Sequence, residues 1–455
     1  MKRKRSYAAV DVEQLDVEAL LPLLTVGSIV AIDVAKTKFV AAIATVGGEV
    51  LKLVKFEHPR QTVAFLGLLR ALQQAERKPV VVMEPTGTYG DALRYQCHAL
   101  GLRVHMMPPK HSHDFAEVLD GVPSMHDPKA ATVLAKLQAI KPARAWQPES
   151  DTRRDLRAWV DQRHPIARTL AIYHGHLEAM LARHWPELEA HVDVYRQRSW
   201  FALLTKYPGP QAVAAAGEAA AITLRKASRG HFGPARLQAI LDAAKTSTGV
   251  PMTAGEQDKL RAIAEQIELQ TRRLDAVDAT LADLIAEDVV LSRLATVVGP
   301  ACAAAIGSLV GSPLDFPNAR ALEKAFGLNL KEKSSGNTRG QMSITKRGPG
   351  QVRHLLFMAA LRLMKDDAIA LSWCRARRGY KADQKIKAVV ALMRKLARAL
   401  WHVARGEAFD ATKLFDLRRL DLTSDTTHRK NKAAPTSPSA RAAGPYQGGA
   451  ATASR

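Results

Sequence analysis

Three acidic residues stand where a chain could carry phosphate chemistry. Asp33 ends the apolar run Ile29-Val30-Ala31-Ile32, and Glu84 ends Val80-Val81-Val82-Met83. Acids at the ends of two strands converge when those strands share a sheet edge. Two carboxylates held close repel, and each raises the other's pKa unless a cation lies between them. Hard oxygen ligands of this kind select Mg2+ or Mn2+, which activates a nucleophile and stabilises charge on phosphate. The plainer alternative is that each acid only caps the element that follows. Asp127, in Ser124-Met125-His126-Asp127-Pro128-Lys129-Ala130-Ala131, precedes a proline suited to the first turn of a helix. It is either a third metal ligand or a simple N-cap.

A second constellation is basic. Residues 331–354 hold six Lys/Arg against the single acid Glu332, with glycines at 336, 340 and 348. Glycines let backbone N–H groups approach phosphate, and Lys333, Arg339, Lys346, Arg347 and Arg353 would neutralise it. A serine here, Ser334 or Ser335, becomes a nucleophile only if a base or a metal removes its proton. The competing reading is a solvated basic loop that touches DNA backbone and nothing more. Gly299-Pro300, ahead of an Ala-rich segment, resembles a helix-hairpin-helix turn whose amides take a phosphate. Residues 375–405 carry ten Lys/Arg and one acid over an apolar stripe, the pattern of a nucleic-acid surface.

The elements that position these residues follow from the hydrophobic pattern. Three strands in meander (29–33, 38–44 and 50–56, with a Gly47-Gly48 turn) precede a helix over 61–76 and a strand ending at Glu84. A helix over about 88–101, a strand over 103–107 and a Pro-Pro break come next, so residues 27–147 read as an α/β domain with a mixed sheet. From 148 to 290 the chain is helical, with an Ala- and Gly-rich stretch over 200–250. Leu260, Ile263, Ile267, Gln270, Leu274, Val277, Leu281 and Leu284 step by alternating threes and fours, a heptad seam within 253–286. Its partner is either a second helix of the same chain or the same seam of another subunit. Residues 291–420 form a further helical domain. Residues 1–26 read as a basic, flexible lead-in, and 421–455, almost free of large apolar side chains, as disordered.

The 455 residues carry Lys+Arg 66 against Asp+Glu 44, a formal charge of +22, which points to a polyanionic partner such as nucleic acid. No run of 18 apolar residues occurs, and no membrane partner is expected. The N-terminus lacks a signal-peptide pattern, and Cys97, Cys302 and Cys374 have no zinc spacing. The expectation is a cytoplasmic, nucleoid-associated protein.

Together these segments resemble the DEDD transposases of the insertion-sequence one-hundred-ten family, relatives of the Piv DNA invertase, over roughly residues 28–420. Ala31-Ile32-Asp33-Val34-Ala35-Lys36 is similar to the first strand of their RuvC-like, RNase H-fold domain. Met83-Glu84-Pro85-Thr86-Gly87-Thr88-Tyr89 is similar to their second acidic motif. The Gly299 turn, Ser334-Ser335-Gly336 and Ile344-Thr345-Lys346-Arg347-Gly348 resemble their C-terminal transposase domain. The resemblance implies an α/β domain followed by all-α regions, and a transposase that cleaves and exchanges strands of double-stranded DNA at element ends and target. It implies Asp33, Glu84 and Asp127 as Mg2+ or Mn2+ ligands and Ser335, directly before Gly336, as nucleophile. It also implies a homo-oligomer, dimer or tetramer, and a structured guide RNA as a partner. One departure is clear: where the family has a second acid three residues after the first, this chain has Ala130, and Met125 and His126 stand where a lysine is usual. The alternatives are a RuvC-like junction nuclease using water, or a nucleic-acid-binding protein that has lost catalysis.

Overall fold

A computed structural model of the chain describes residues 7–420 except 86, 123, 194–197, 336–337 and 379–381. For 120, 333–335, 338–339, 341, 378, 382–384 and 419 it describes the backbone alone. The expected disordered tail, residues 421–455, lies outside the described residues, as does Gly336. The chain divides between Glu149 and Ser150 into two units.

The first unit grows from strands with apolar side chains on both faces. In chain order it comprises β1 (Ala9–Asp11), α1 (Val17–Leu20), β2 (Ile29–Asp33), β3 (Lys38–Ala44), β4 (Val50–Glu57) and α2 (Thr62–Gln74). β5 (Val80–Met83), α3 (Asp91–Ala99), β6 (Arg103–Met106), α4 (Pro109–Asp120), α5 (Asp127–Ile140) and β7 (Arg144–Ala145) follow. Among the described residues seven strands make one mixed sheet, in the order β1-β4-β3-β2-β5-β6-β7. β2, β3 and β4 form an antiparallel meander, and β5 and β6 run parallel to β2. Side chains alternate across the sheet. Val30, Ile32, Val81 and Met83 face one core with Phe65, Leu69, Leu93 and Cys97 of α2 and α3. Ile29, Ala31, Val80 and Val82 face the other with Ala131, Leu134 and Leu137 of α5. Burial on both faces explains why β2 and β5 read as continuous apolar runs.

Within the expected lead-in, the described residues from Ala9 onward are a structural part of this unit. Ala9–Asp11 pairs in parallel with Leu53–Lys55, and Val12, Leu20 and Leu24 are buried in the α2 side of the core. Three residues at a sheet edge are too few for a periodic signal, which is why the sequence pattern does not reveal them.

Among its described residues the second unit is helical apart from one hairpin. It comprises α6 (Asp151–His184), α7 (Ser199–Lys206), α8 (Pro210–Ala216), α9 (Glu218–Ala227), α10 (Pro234–Lys245) and α11 (Ala254–Ala286). α12 (Val289–Val298), α13 (Pro300–Leu309), α14 (Ala319–Ala325), β8 (Leu330–Ser335) and β9 (Thr338–Ile344) follow. α15 (Gly350–Asp366), α16 (Ala368–Arg378) and α17 (Ala382–Ala404) complete it. The heptad seam is closed within the chain. Leu260, Ile263 and Ile267 of α11 share a core with Leu177, Met180 and Leu181 of α6, while Val277, Leu281 and Ile285 share another with Leu156 and Val160. The two helices therefore run antiparallel. Arg163 of α6 binds the Asp278 carboxylate through two nitrogens, at 2.5 and 3.1 Å. Of the two partners the seam admits, the one observed is intramolecular, and a coiled coil between subunits is not what buries these positions. The Ala- and Gly-rich residues over 200–250 are helical and packed. α7–α10 bury Trp200, Phe201, Leu204, Leu237 and Ile240 against the α6–α11 pair.

Candidate active site

The sheet brings the first two acids together. β2 and β5 are parallel neighbours with Ile32 opposite Met83, so Asp33 and Glu84 are the next residues in the same register. Adjacent strands lie about 4.8 Å apart, and both residues continue the row that faces α5. Asp127 is the first residue of α5, the helix that covers that face. The simple N-cap alternative for Asp127 does not hold. His126 is the cap, its Nδ1 accepting the Lys129 amide at 3.3 Å, and the Asp127 carboxylate is left exposed at the helix start.

Electrostatics tie the three together. Burial pushes the Asp33 carboxyl from 3.8 up to about 6, the charges of Asp127 and Glu84 push it the same way, and the Val34 amide opposes them. Among the described residues none of the three carboxylates sits in an ion pair with a lysine or arginine. This donor set fits a hard divalent cation: it offers oxygen only, and its mutual repulsion is what a cation relieves. The three acids do not, however, close into a group of metal-holding geometry among the described residues.

Two further side chains shape this edge. Ser112 of α4, 2 % exposed, donates its hydroxyl to the Glu84 carboxylate. Lys129, 1 % exposed, donates from Nζ to the Val122 carbonyl at 2.6 Å and so anchors the segment that leads into Asp127. The sequence reading gave Ser112 no role. A single serine between two histidines carries no spacing signal.

In the second unit, residues expected to form a basic loop form a β-hairpin. β8 and β9 are antiparallel, with Leu330 opposite Ile344 and Ser335 opposite Thr338, so Ser335 ends its strand. Alternation of Lys, Glu and Ser gives both faces polar side chains, which hides the strands from a hydrophobic reading. The side chains of Lys333, Ser335 and Arg339 lie outside the described residues. Lys346 and Arg347 are exposed just beyond β9. Arg353 of α15 donates to the Gly348 carbonyl at 2.6 Å and the Phe326 carbonyl at 3.3 Å, which fixes the hairpin's base to the turn after α14. A side chain at Gly348 would place Cβ 2.3 Å from the Ala325 carbonyl oxygen, so only glycine fits there. Gly299, at φ +82°, turns the chain from α12 into α13, and Arg362 lies against it with Nη2 donating to the Val298 carbonyl at 2.7 Å.

A mixed sheet of this order, with acids meeting at the ends of two parallel strands, defines a RuvC-like nuclease domain. Comparison with protein families agrees on both halves of the chain. Residues 30–186 match a DEDD transposase model of the IS110 type, described as transposase. Residues 293–372 match the model of the transposase IS116/IS110/IS902 family. No curated protein matches. The two family matches together span more than half of the 455 residues, and the chain belongs to the IS110 family of insertion-sequence transposases. Asp33, Glu84 and Asp127 fall inside the first match and Ser335 inside the second. Membership makes it a DNA-binding enzyme that cleaves or recombines DNA, of a class tied to divalent metal. No helix among the described residues is long and apolar enough to cross a membrane.

Proposed function

We propose that this transposase cleaves and exchanges DNA strands with Ser335 as nucleophile, assisted by a divalent ion, Mg2+ or Mn2+, held by Asp33, Glu84 and Asp127. The observation that carries the reading is the placement of Asp33 and Glu84 at the ends of neighbouring parallel strands, with the charges of Asp127 and Glu84 adding to the burial that raises Asp33 to about 6. A divalent ion there supplies charge stabilisation at phosphate. The rest of the chemistry belongs to the chain. Ser335 Oγ forms a bond to a backbone phosphorus as the P–O bond to a deoxyribose breaks. The serine proton leaves to solvent, and the departing sugar oxygen is protonated. Attack by another strand's sugar hydroxyl reverses the link without net loss of phosphodiester bonds. Lys333, Arg339, Lys346 and Arg347, with the amide at Gly336, hold the flanking phosphates, while Arg353 braces the hairpin; the Gly299 amide, expected to take a phosphate, is already given to the Ala295 carbonyl at 2.9 Å.

The acids and Ser335 fall in different units of the chain. The family resemblance implies a homo-oligomer, a dimer or tetramer, and we place catalysis there, with acids of one subunit meeting Ser335 of another. A structured guide RNA that selects the DNA ends and target fits the charge of +22. A second reading rests on Ala130: with the fourth acid absent, the chain binds nucleic acid and does not cut.

The test is covalent trapping. Protein purified with its co-expressed nucleic acid is mixed with labelled DNA spanning the native element junction and Mg2+, then resolved on a denaturing gel. A protein–DNA adduct that disappears in Ser335→Ala and in Asp33→Asn supports the reading. A nick without an adduct, retained in Ser335→Ala, identifies a water-using nuclease. Binding with neither adduct nor nick selects the reading based on Ala130.

A further inference from the structure

Glu84 presents a positioning problem that Asp33 does not. Its side chain has one more rotatable bond than an aspartate, and it leaves the sheet one residue beyond the end of β5, ahead of Pro85. A flexible carboxylate serves a metal only if something holds it. The chain beside it supplies the holder. β6 runs parallel to β5 with Met106 opposite Met83, and the Met107 amide extends the ladder to the Met83 carbonyl at 2.8 Å. Pro108 and Pro109 then end the strand and open α4, whose first turn delivers Ser112 to Glu84.

We propose that Ser112 is a positioning residue for the metal site: its hydroxyl fixes one oxygen of Glu84 and leaves the other to face the ion. The proposal rests on the assignment of Glu84 as a metal ligand made above. Two observations support it. Ser112 is 2 % exposed, so its hydroxyl is not satisfied by bulk water. Its contact to Glu84 spans 28 residues and two elements, so it is not local helix capping, and α4 has no side-chain cap hydrogen bond at its start. The Pro109 carbonyl, 3.0 Å away and one turn back on the same helix, is the alternative acceptor for the same proton. A hydroxyl has one proton to give, and the carboxylate is the stronger acceptor.

The test is Mn2+ binding to the full-length, metal-stripped protein, read from the electron paramagnetic resonance signal of free Mn2+. Wild type is compared with Ser112→Ala, Ser112→Thr and Glu84→Gln. Partners of this kind shift metal affinity by about 10–100-fold when removed. Ser112→Ala is expected to weaken binding by about that factor, while Ser112→Thr, which keeps the hydroxyl, stays within about threefold of wild type. If the alanine variant loses its far-ultraviolet helical signal, Ser112→Cys, a poor donor of similar size, takes its place in the comparison. Unchanged affinity in the alanine or cysteine variant overturns the role of Ser112 alone. Equal loss in Ser112→Thr also overturns it, by assigning the effect to packing. Wild type that binds no more Mn2+ than Glu84→Gln overturns the metal assignment itself, and Ser112's role with it.

Discussion

Removing one of the three clustered charges should stabilise the metal-free protein while abolishing its chemistry. In Asp33→Asn the amide keeps the shape of the carboxylate and its oxygen still accepts the Val34 amide. What disappears is a half-buried negative charge facing Asp127 and Glu84. The Asp33 carboxyl lies at about 6 against an ordinary 3.8. At ~1.4 kcal/mol per pKa unit, this corresponds to roughly 3 kcal/mol of penalty on the folded, ionised state. Solvent at the sheet edge screens part of it, and about 1–2 kcal/mol is the expected net. The sign follows from linkage. The folded pKa is raised, so the wild type is penalised fully above pH 6, where Asp33 is ionised in both states. The penalty fades as the pH falls from 6 to 4 and the folded carboxyl takes up its proton. Urea unfolding of both proteins in a chelator, at several pH values, reads the difference. Asp33→Asn should be more stable by about 1–2 kcal/mol at pH 7.5, and the gap should close toward pH 4. Added Mn2+ should then stabilise wild type and leave the variant unmoved. A variant that is less stable than wild type in chelator, or a gap indifferent to pH, would show that Asp33 is a structural acid and would refute the repulsion argument.

Three other outcomes follow from the packing. Ile267→Ala, at a fully buried α11 position facing α6, should cost about 2–5 kcal/mol of stability without changing the particle mass by light scattering. A lower mass with unchanged unfolding would place the seam between subunits instead. Gly348→Ala drives a methyl into the Ala325 carbonyl and should loosen the base of the β8–β9 hairpin. DNA cleavage should fall by at least tenfold, on the order of 1–3 kcal/mol of misplacement, although no catalytic group is touched. Wild-type cleavage in that variant would separate the hairpin from the reaction. Glu323, 2 % exposed, accepts from Arg394 at 2.7 Å and Arg398 at 2.5 Å and clamps α14 to α17. Glu323→Gln should cost about 2–4 kcal/mol in chemical denaturation, since it leaves two partly buried guanidinium groups without their counter-charge. A change below 0.5 kcal/mol, as for exposed pairs, would assign the clamp no role.

What the sequence conveyed, and what it did not, divides by the range of the interactions. Asp33 and Glu84 were legible because a strand buried on both faces must be apolar to its last residue, so an acid at its end is conspicuous. The α11 seam was equally legible as a face, but periodicity names only the side of a helix that is buried. It does not name the partner, and α6 offers few buried positions along its 34 residues to advertise itself. The β8–β9 hairpin and β1 left no trace for the opposite reason: one has polar side chains on both faces, and the other is three residues long. Ser112 is the most instructive case. Its meaning exists only because the parallel ladder of β5 and β6 ends in register, and because α4 starts three residues past that end. Nothing within the local sequence encodes that coincidence. A group that could hold Glu84 in place is therefore one a motif search passes over: Ser112 lies 28 residues from Glu84, and only the fold brings the two together.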